Sequence, residues 1–414
     1  MRILHITNAF IPGSGTCPEK IGGAEIYAGR VASAQAEAGH EVIVITQCPF
    51  KGWASLFPAR KKIGQIRVYS FYPLNIFSIY RSYNKPFVLK ALWRLIDLVN
   101  PLPALMVKWI VHKEKPDIIH SHILHGFSPY FLLRFLSATR RPIVQTLHSY
   151  GYLCLRCNLL RPEGTPCRAM IPACRIFIWL SRLLVNKKIS LVISPSRFTL
   201  SFFEQAGFFS GTQKIVIPNG IETYSVNLHK ETEKEFTVFF AGRLTKEKGV
   251  TTLIRAFKML TGENLRLIIA GDGPEKNPLQ NLARGDSRIK FQGNCSQEIL
   301  ENFFKTCKVT VVPSLFYENL PNVVLESMRS GTPVIASRIG GLSELIKEGQ
   351  NGFLFEPGNI EELRKILESL INNPQSLETL GQAAFNFSQG FNLSKHIEAL
   401  EKVYAETKKS FAGT

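Results

Sequence analysis

The feature that most constrains this chain is residues 313–341, Pro-Ser-Leu-Phe-Tyr-Glu-Asn-Leu-Pro-Asn-Val-Val-Leu-Glu-Ser-Met-Arg-Ser-Gly-Thr-Pro-Val-Ile-Ala-Ser-Arg-Ile-Gly-Gly. It follows a short β-branched run at residues 309–312 that reads as a buried strand. Pro321 suits the first position of a helix, where its missing N–H leaves no bond unmade. Val323, Val324, Leu325 and Met328 give that helix an apolar side, Gly331 fits its C-terminal cap, and a second strand at residues 333–336 follows at once. Glu318 then falls in the loop before the helix and Glu326 a turn or more inside it. A helix N-terminus facing a cleft at the carboxyl end of a parallel sheet is an anion site. A carboxylate can accept two hydrogen bonds from a vicinal diol such as a ribose or a sugar ring. Together they point to a sugar-nucleotide pocket. The plainer alternative is two surface glutamates on a helix, since this spacing recurs by chance.

At 414 residues the chain exceeds what one core usually serves, so two domains are expected. No run reaches 18 uninterrupted apolar residues, so no transmembrane helix is expected. The sequence opens directly on a strand pattern, so a cleaved signal peptide is not expected and the protein is placed in the cytoplasm. The formal net charge of +18 is unevenly spread: residues 51–200 carry 23 Lys and Arg against 4 Asp and Glu, and residues 201–414 carry 24 of each. Aromatics interleave with that charge, namely Tyr69, Phe71, Tyr72, Phe77, Tyr80, Tyr83, Phe87, Trp93 and Trp109. No recognised nucleic-acid motif is present, so nucleic acid is not an expected partner. An anionic membrane surface fits better, and would make the protein peripheral at the inner face of the membrane. A solvated basic face over an aromatic core is the alternative.

The first half alternates strands and helices, the pattern of a doubly wound sheet, with strands expected at residues 3–7, 41–46, 66–71, 117–120, 143–147, 191–194 and 215–217. Glycines enter the first helix at Pro12-Gly13-Ser14-Gly15 and Ile21-Gly22-Gly23, where a backbone without Cβ can approach a phosphate or sugar. Residues 86–100 carry a helical apolar stripe (Phe87, Val88, Ala91, Leu92, Leu95, Ile96, Val99), Pro101 and Pro103 break it, and residues 105–111 resume it. This is either a buried helical hairpin or an acceptor or membrane face. His120, His122 and His125 follow the fourth strand; His120 and His122 are expected to point to opposite sides, which argues against one shared ion. Cys154, Cys157, Cys167 and Cys174 crowd into 21 residues, compatible with a thiolate metal site or with free or redox-active thiols. Arg156, Arg161, Arg168 and Arg175 around them would favour thiolates.

The turn at residues 217–221 ends the first domain, and residues 222–235 are polar enough for a hinge. A buried strand then leads into Gly242-Arg243-Leu244 and Thr245-Lys246-Glu247-Lys248-Gly249, placing Arg243 and Lys248 on a strand-to-helix loop. A forked guanidinium and a mobile ammonium together suit a diphosphate that gains charge as it leaves.

The Glu-x7-Glu stretch, with Pro-Ser before it and Gly-x-Pro-Val and Gly-Gly after it, resembles the signature of the retaining GT-B glycosyltransferases, specifically glycosyltransferase family 4. The resemblance covers nearly the whole chain and is more specific after Val238. It implies an α/β fold of two Rossmann-like doubly wound domains facing across a cleft: an acceptor-side domain over residues 1–221, a hinge at 222–235, a nucleotide-sugar domain at 236–392, and a C-terminal helix at 393–414 returning to the first domain. It implies that Glu326 holds the nucleotide ribose, that Glu318, Asn319 and Leu320 line the sugar site, and that Gly22 and Gly23 lie against the donor diphosphate. His148, ending the strand Thr146-Leu147-His148, is placed beside the donor sugar, and Arg243 and Lys248 against the leaving diphosphate. His148, Glu318, Arg243 and Lys248 are thus the expected catalytic set. The implied activity is retaining transfer of a hexosyl unit from a nucleotide-diphosphate sugar to a carbohydrate or lipid-linked acceptor, in surface polysaccharide or glycolipid assembly. No cofactor and no metal are expected to be required. Two alternatives stay open: another GT-B enzyme, such as a sugar-nucleotide epimerase or a phosphorylase, and a non-catalytic sugar-nucleotide or membrane-binding protein.

Overall fold

The computed structural model describes residues 1–10, 22–77, 85–154, 156–161, 166–167, 171–222 and 235–412. Pro12 to Gly15, Ile21, Tyr80, Tyr83, Arg168, most of the expected hinge and the side chains of Phe87, Ala91 and Val99 lie outside them. Eight strands form the first sheet: β1 (Arg2–Ile6), β2 (Glu41–Gln47), β3 (Ala59–Ile63), β4 (Ile66–Phe71), β5 (Ile118–Ser121), β6 (Ile143–Thr146), β7 (Leu191–Ser194) and β8 (Gln213–Val216). Their order is β3-β4-β2-β1-β5-β6-β7-β8, parallel except for β3. The second sheet holds β9 (Phe236–Ala241), β10 (Leu265–Ala270), β11 (Ile289–Gly293), β12 (Val309–Val312), β13 (Val334–Ser337) and β14 (Gly352–Phe355), all parallel, in the order β11-β10-β9-β12-β13-β14. Central strands are buried on both faces, which is why they read as unbroken apolar runs. Strand order reverses between β1 and β5 and again between β9 and β12. Loops at the carboxyl ends of these four strands therefore open crevices that ligands of such sheets occupy.

β3 was not expected. Its residues, including Arg60, Lys61 and Lys62, are all exposed, so no apolar alternation marks it; the charges blunt an otherwise open sheet edge. The last helix, Leu393–Ala412, crosses back as expected. Its Leu400, Val403 and Tyr404 pack with Ile3, Val31 and Ile118, and the Lys408 ammonium reaches the Asp117 carboxylate at 2.8 Å. Outgoing and returning chains lie side by side, with Ile221 N–H donating to Phe391 O and Leu393 N–H to Ile221 O.

The helices Phe87–Val99 and Leu102–Glu114 correct one expectation and decide between two others. Pro103 sits within the first turn of the second helix instead of breaking it, because a first-turn N–H has no intrahelical partner to lose. Where its side chains are described, the first helix exposes most of its apolar stripe. Trp93, Arg94 and Asp97 face inward, while Val88, Leu89, Leu92 and Leu95 stand in solvent, Val88 at 72% exposure. The helix Pro172–Val185 does the same with Ile176, Trp179, Leu180, Leu183 and Leu184. Both helices pack against the helix Pro129–Ser137. The aromatics named from the sequence are a different set: Tyr69, Phe71, Tyr72 and Trp93 are core, and Trp109 is exposed. Among the described residues no single helix is long and apolar enough to cross a membrane; only the segments Val88–Leu98 and Leu102–Glu114, bent by 43°, would qualify jointly.

Candidate functional site

The second-domain lip is built by close backbone approach. Gly249, at φ +67°, lies so near Pro313 that a Cβ would stand 1.8 Å from its carbonyl oxygen, which brings the Arg243–Lys248 loop against the 314–320 loop. Lys248 Nζ donates to Glu318 Oε1 at 2.6 Å, and Ser314 Oγ donates to the same oxygen at 2.7 Å. Glu318 is thereby held rigid at 6% exposure. The Gly340-Gly341 pair underlies it: Gly341 N–H donates to Glu318 O at 2.8 Å, and a Cβ on Gly341 would fall 1.7 Å from Asn319 O. Pro321 turns out to be the N-cap of the helix Asn322–Arg329 and not its first residue. Glu326, fifth in that helix, is 8% exposed and accepts from Arg30 Nη2 of the first domain at 3.2 Å.

On the opposite lip Gly22 N–H donates to Glu25 Oε2 at the start of the helix Gly23–Glu37. Burial pushes the Glu25 carboxyl up, and the Arg243 guanidinium across the cleft opposes that rise. Between the lips lies a cleft of about 690 Å³. Gly22, Gly23, His148, Arg243, Lys248, Glu318, Asn319, Leu320 and Glu326 all line it. The side chains of two of these do something else. Leu320 is buried in the core beneath the helix Asn322–Arg329, leaving its backbone to the cleft. The Asn319 amide latches the domains, accepting from Thr199 Oγ1 at 3.0 Å and donating to Leu147 O at 3.3 Å. Further cross-domain bonds join Asn219 to Leu320 O and Asn322, and the Glu344 carboxylate to the backbone N–H groups of Arg197 and Phe198. Arg30, Thr199, Asn219 and Glu344 were invisible in the sequence, because each is an ordinary polar residue whose partner lies in the other domain.

The histidines overturn one expectation. Residues two apart along a strand share a face, and His122, whose N–H donates to Ile6 O just past β5, stands beside His120, ring centroids 4.1 Å apart. Ring nitrogens of His5, His120 and His122 all lie within 4.8 Å of one another. Each is already used: His5 by Gln35 and His122, His122 by His5 and His148, His120 by Thr146 and Tyr404. An ion there would have to break these bonds, so the set reads as a hydrogen-bond network. Burial lowers every one of these imidazoles, His5 to about 4 and His148 to about 3.

The cysteine loop departs from expectation in the arginine that reaches Cys157. Cys154, Cys157 and Cys174 are free thiols, and among the described residues no three of the four cysteines bring their sulfurs within 4.8 Å. Burial pushes the Cys157 and Cys174 thiols up. The arginine that reaches Cys157 is Arg94, from the Phe87–Val99 helix, at 3.3 Å. A guanidinium only donates, so His125 Nδ1 accepts from Arg94 at 2.7 Å and its Nε2–H is turned toward the Cys157 sulfur at 3.4 Å.

Residues 21–224 match Glycosyltransferase Family 4 and residues 225–387 match Glycosyl transferases group 1. The chain is 36% identical over 303 residues to an uncharacterized glycosyltransferase of Methanocaldococcus jannaschii, covering 72% of this chain and 78% of that one. Among solved structures it is similar to the sucrose-phosphate synthase of Thermosynechococcus elongatus (TM-score 0.75, 20% identity, 100% and 99% of the two chains). It is likewise similar to HepE of Anabaena in complex with UDP (TM-score 0.70, 23% identity, 98% and 100%).

Proposed function

The chain is a glycosyltransferase of family 4 with the GT-B fold, and from that premise we propose that it moves a hexosyl unit, with retention of configuration, from a nucleotide-diphosphate sugar to a carbohydrate or lipid-linked acceptor presented at an anionic membrane surface. One observation carries the reading: segments following the switch-point strands, together with His148 after β6, bring nine residues of the expected donor set into a single cleft. The nucleotide sits on the second domain, its ribose diol on the Glu326 carboxylate. The complex of HepE with UDP supports a donor of this class.

The acceptor hydroxyl attacks the anomeric carbon as the bond to the diphosphate oxygen breaks. The bonding pair leaves with the diphosphate, and that oxygen takes the acceptor proton on the same face of the sugar. Arg243, Lys248 and the N-terminus of the helix Asn322–Arg329 meet the charge that develops, so the scheme runs without a divalent cation. Glu318, fixed by Lys248 and Ser314, orients sugar hydroxyls. A mass-spectrometric screen of nucleotide sugars, with and without acceptor extracts, tests the reading. Release of nucleotide diphosphate with sugar transferred to an acceptor supports it; an epimerised free sugar, or no turnover of any donor, overturns it.

The membrane part rests on the outward apolar faces of Phe87–Val99 and Pro172–Val185, set in the stretch that carries all the excess charge. Apolar side chains at headgroup depth with Lys and Arg above them suit an anionic leaflet, each cation adding about 1 kcal/mol before screening. Co-sedimentation with anionic but not zwitterionic liposomes, weakening with salt, is the expected result. Equal, negligible pelleting in both would remove the membrane surface and leave the transferase intact.

A further inference from the structure

Behind His148 runs a line of contacts that the transfer chemistry above leaves unused. His148 Nε2 lies 3.3 Å from His122 Nδ1, His122 Nε2 lies 3.0 Å from His5 Nδ1, and His5 Nε2 lies 2.8 Å from Gln35 Oε1. His5 and His122 are fully buried, and His148 is the one ring of the three that reaches the cleft. A neutral imidazole has one N–H and one lone pair, so a row of such rings can bond end to end only if every proton points the same way. The terminal group sets the direction. With the Gln35 carbonyl at the inner end, His5 must donate from Nε2, His122 from Nε2, and His148 from Nε2.

We propose that Gln35, His5 and His122 are positioning residues that fix His148 as the Nε2–H tautomer, so that its Nδ1 presents a lone pair to the cleft and accepts a hydrogen bond from a hydroxyl of the bound sugar. This rests on the assignment of His148 to the donor-sugar site and adds the sense of the hydrogen bond. A ring locked in this way discriminates: it rewards a sugar hydroxyl, which can donate, over a carbonyl, ether or fluorine at the same position, which cannot. It also stays neutral, because a proton arriving at Nδ1 would place a cation at the end of a buried, uncharged row.

Long-range ¹H–¹⁵N correlation on the wild-type protein with ¹⁵N-labelled histidine reads the tautomer without any activity. The His148 signal is assigned by its loss in His148→Gln. The expected pattern is protonated Nε2 and bare Nδ1, unchanged from pH 8 down to pH 6. Protonated Nδ1, or a ring that titrates near its ordinary value, overturns the relay. Gln35→Leu removes the terminal acceptor far from the cleft and should let both tautomers appear at His148. With the donor that the enzyme consumes, kcat should then fall several-fold while binding of UDP and GDP, used as nucleotide probes, stays unchanged. A Gln35→Leu protein that keeps one His148 tautomer and wild-type kcat also refutes the relay. The spectrum judges the relay even if no donor is turned over, so its failure is separable from failure of the transferase reading.

Discussion

Gly341→Ala places one methyl group under the loop of residues 318–320, which the proposed chemistry puts at the donor sugar. The added carbon would stand 1.7 Å from the Asn319 carbonyl oxygen and 3.3 Å from that of Glu318. Contacts under 3.0 Å are essentially never tolerated, so the 318–320 backbone must retreat by at least 1.3 Å or the Gly341 segment must give way. The loop is held by the Lys248 and Ser314 bonds to the Glu318 carboxylate, and tied to Gly341 itself by the Gly341 N–H bond to Glu318 O. Overpacking of a well-packed site costs about 1–3 kcal/mol. Misplacing reacting groups by about 1 Å can cost about 10² in rate. The expected variant therefore melts several degrees lower, at about 2–4 °C per kcal/mol for a domain of this size, yet remains folded, and its kcat falls about a hundredfold. Thermal melts and steady-state turnover would be measured beside Gly390→Ala, a glycine with nothing within 4 Å of its would-be Cβ and no left-handed φ. A Gly341→Ala enzyme with wild-type kcat would refute the idea that this glycine pair templates the sugar site.

Three further outcomes are expected. Glu326→Gln should weaken binding of free nucleotide with little change in turnover at saturation, whereas Glu318→Gln should chiefly slow transfer; calorimetric titration of UDP and GDP checks the first, and unaltered affinity for both would contradict the ribose role. Acid should destabilise the fold: His5 has a native value of about 4 against 6.5 unfolded, so its contribution is complete above pH 6.5 and is lost as pH falls toward 4, on the order of 3 kcal/mol. His5→Gln should flatten that part of a urea-melt pH series, and an unchanged slope would show that His5 is not the source. Leu92→Glu with Leu180→Glu, both exposed, should abolish liposome pelleting without shifting the melting temperature; full pelleting would move the membrane contact elsewhere.

The second domain was the more legible half because its site lies in one segment. Glu318, Glu326 and the glycines at 340–341 are fixed by a loop and helix that contact one another locally, so their spacing in sequence is their spacing in space. The first domain hides its chemistry in tertiary structure. Nothing near His5 announces that His122 and His148, 117 and 143 positions on, will line up with it, since parallel pairing of β1 with β5 and β5 with β6 creates that row. The helix Phe87–Val99 was found by its period, but period does not say which face looks inward. Trp93, Arg94 and Asp97 won the interior because Asp97 caps Ser128 N–H at 3.0 Å and Arg94 is held by His125 and Cys157. The neighbouring of His120 and His122 was legible after all, since residues two apart on a strand share a face and His122 N–H still bonds Ile6 O just past β5.

The leaving-group role proposed for Arg243 and Lys248 is the step on which the proposed transfer chemistry depends, and a paired measurement isolates it. Turnover and donor affinity would be determined for wild type, Arg243→Ala and Lys248→Ala with the nucleotide sugar the enzyme consumes. If the two cations stabilise charge that appears only as the diphosphate departs, kcat should drop by about 10² or more in each while the donor dissociation constant changes little. Unchanged kcat with a raised dissociation constant would show that they merely hold the donor, and would contradict the proposed chemistry.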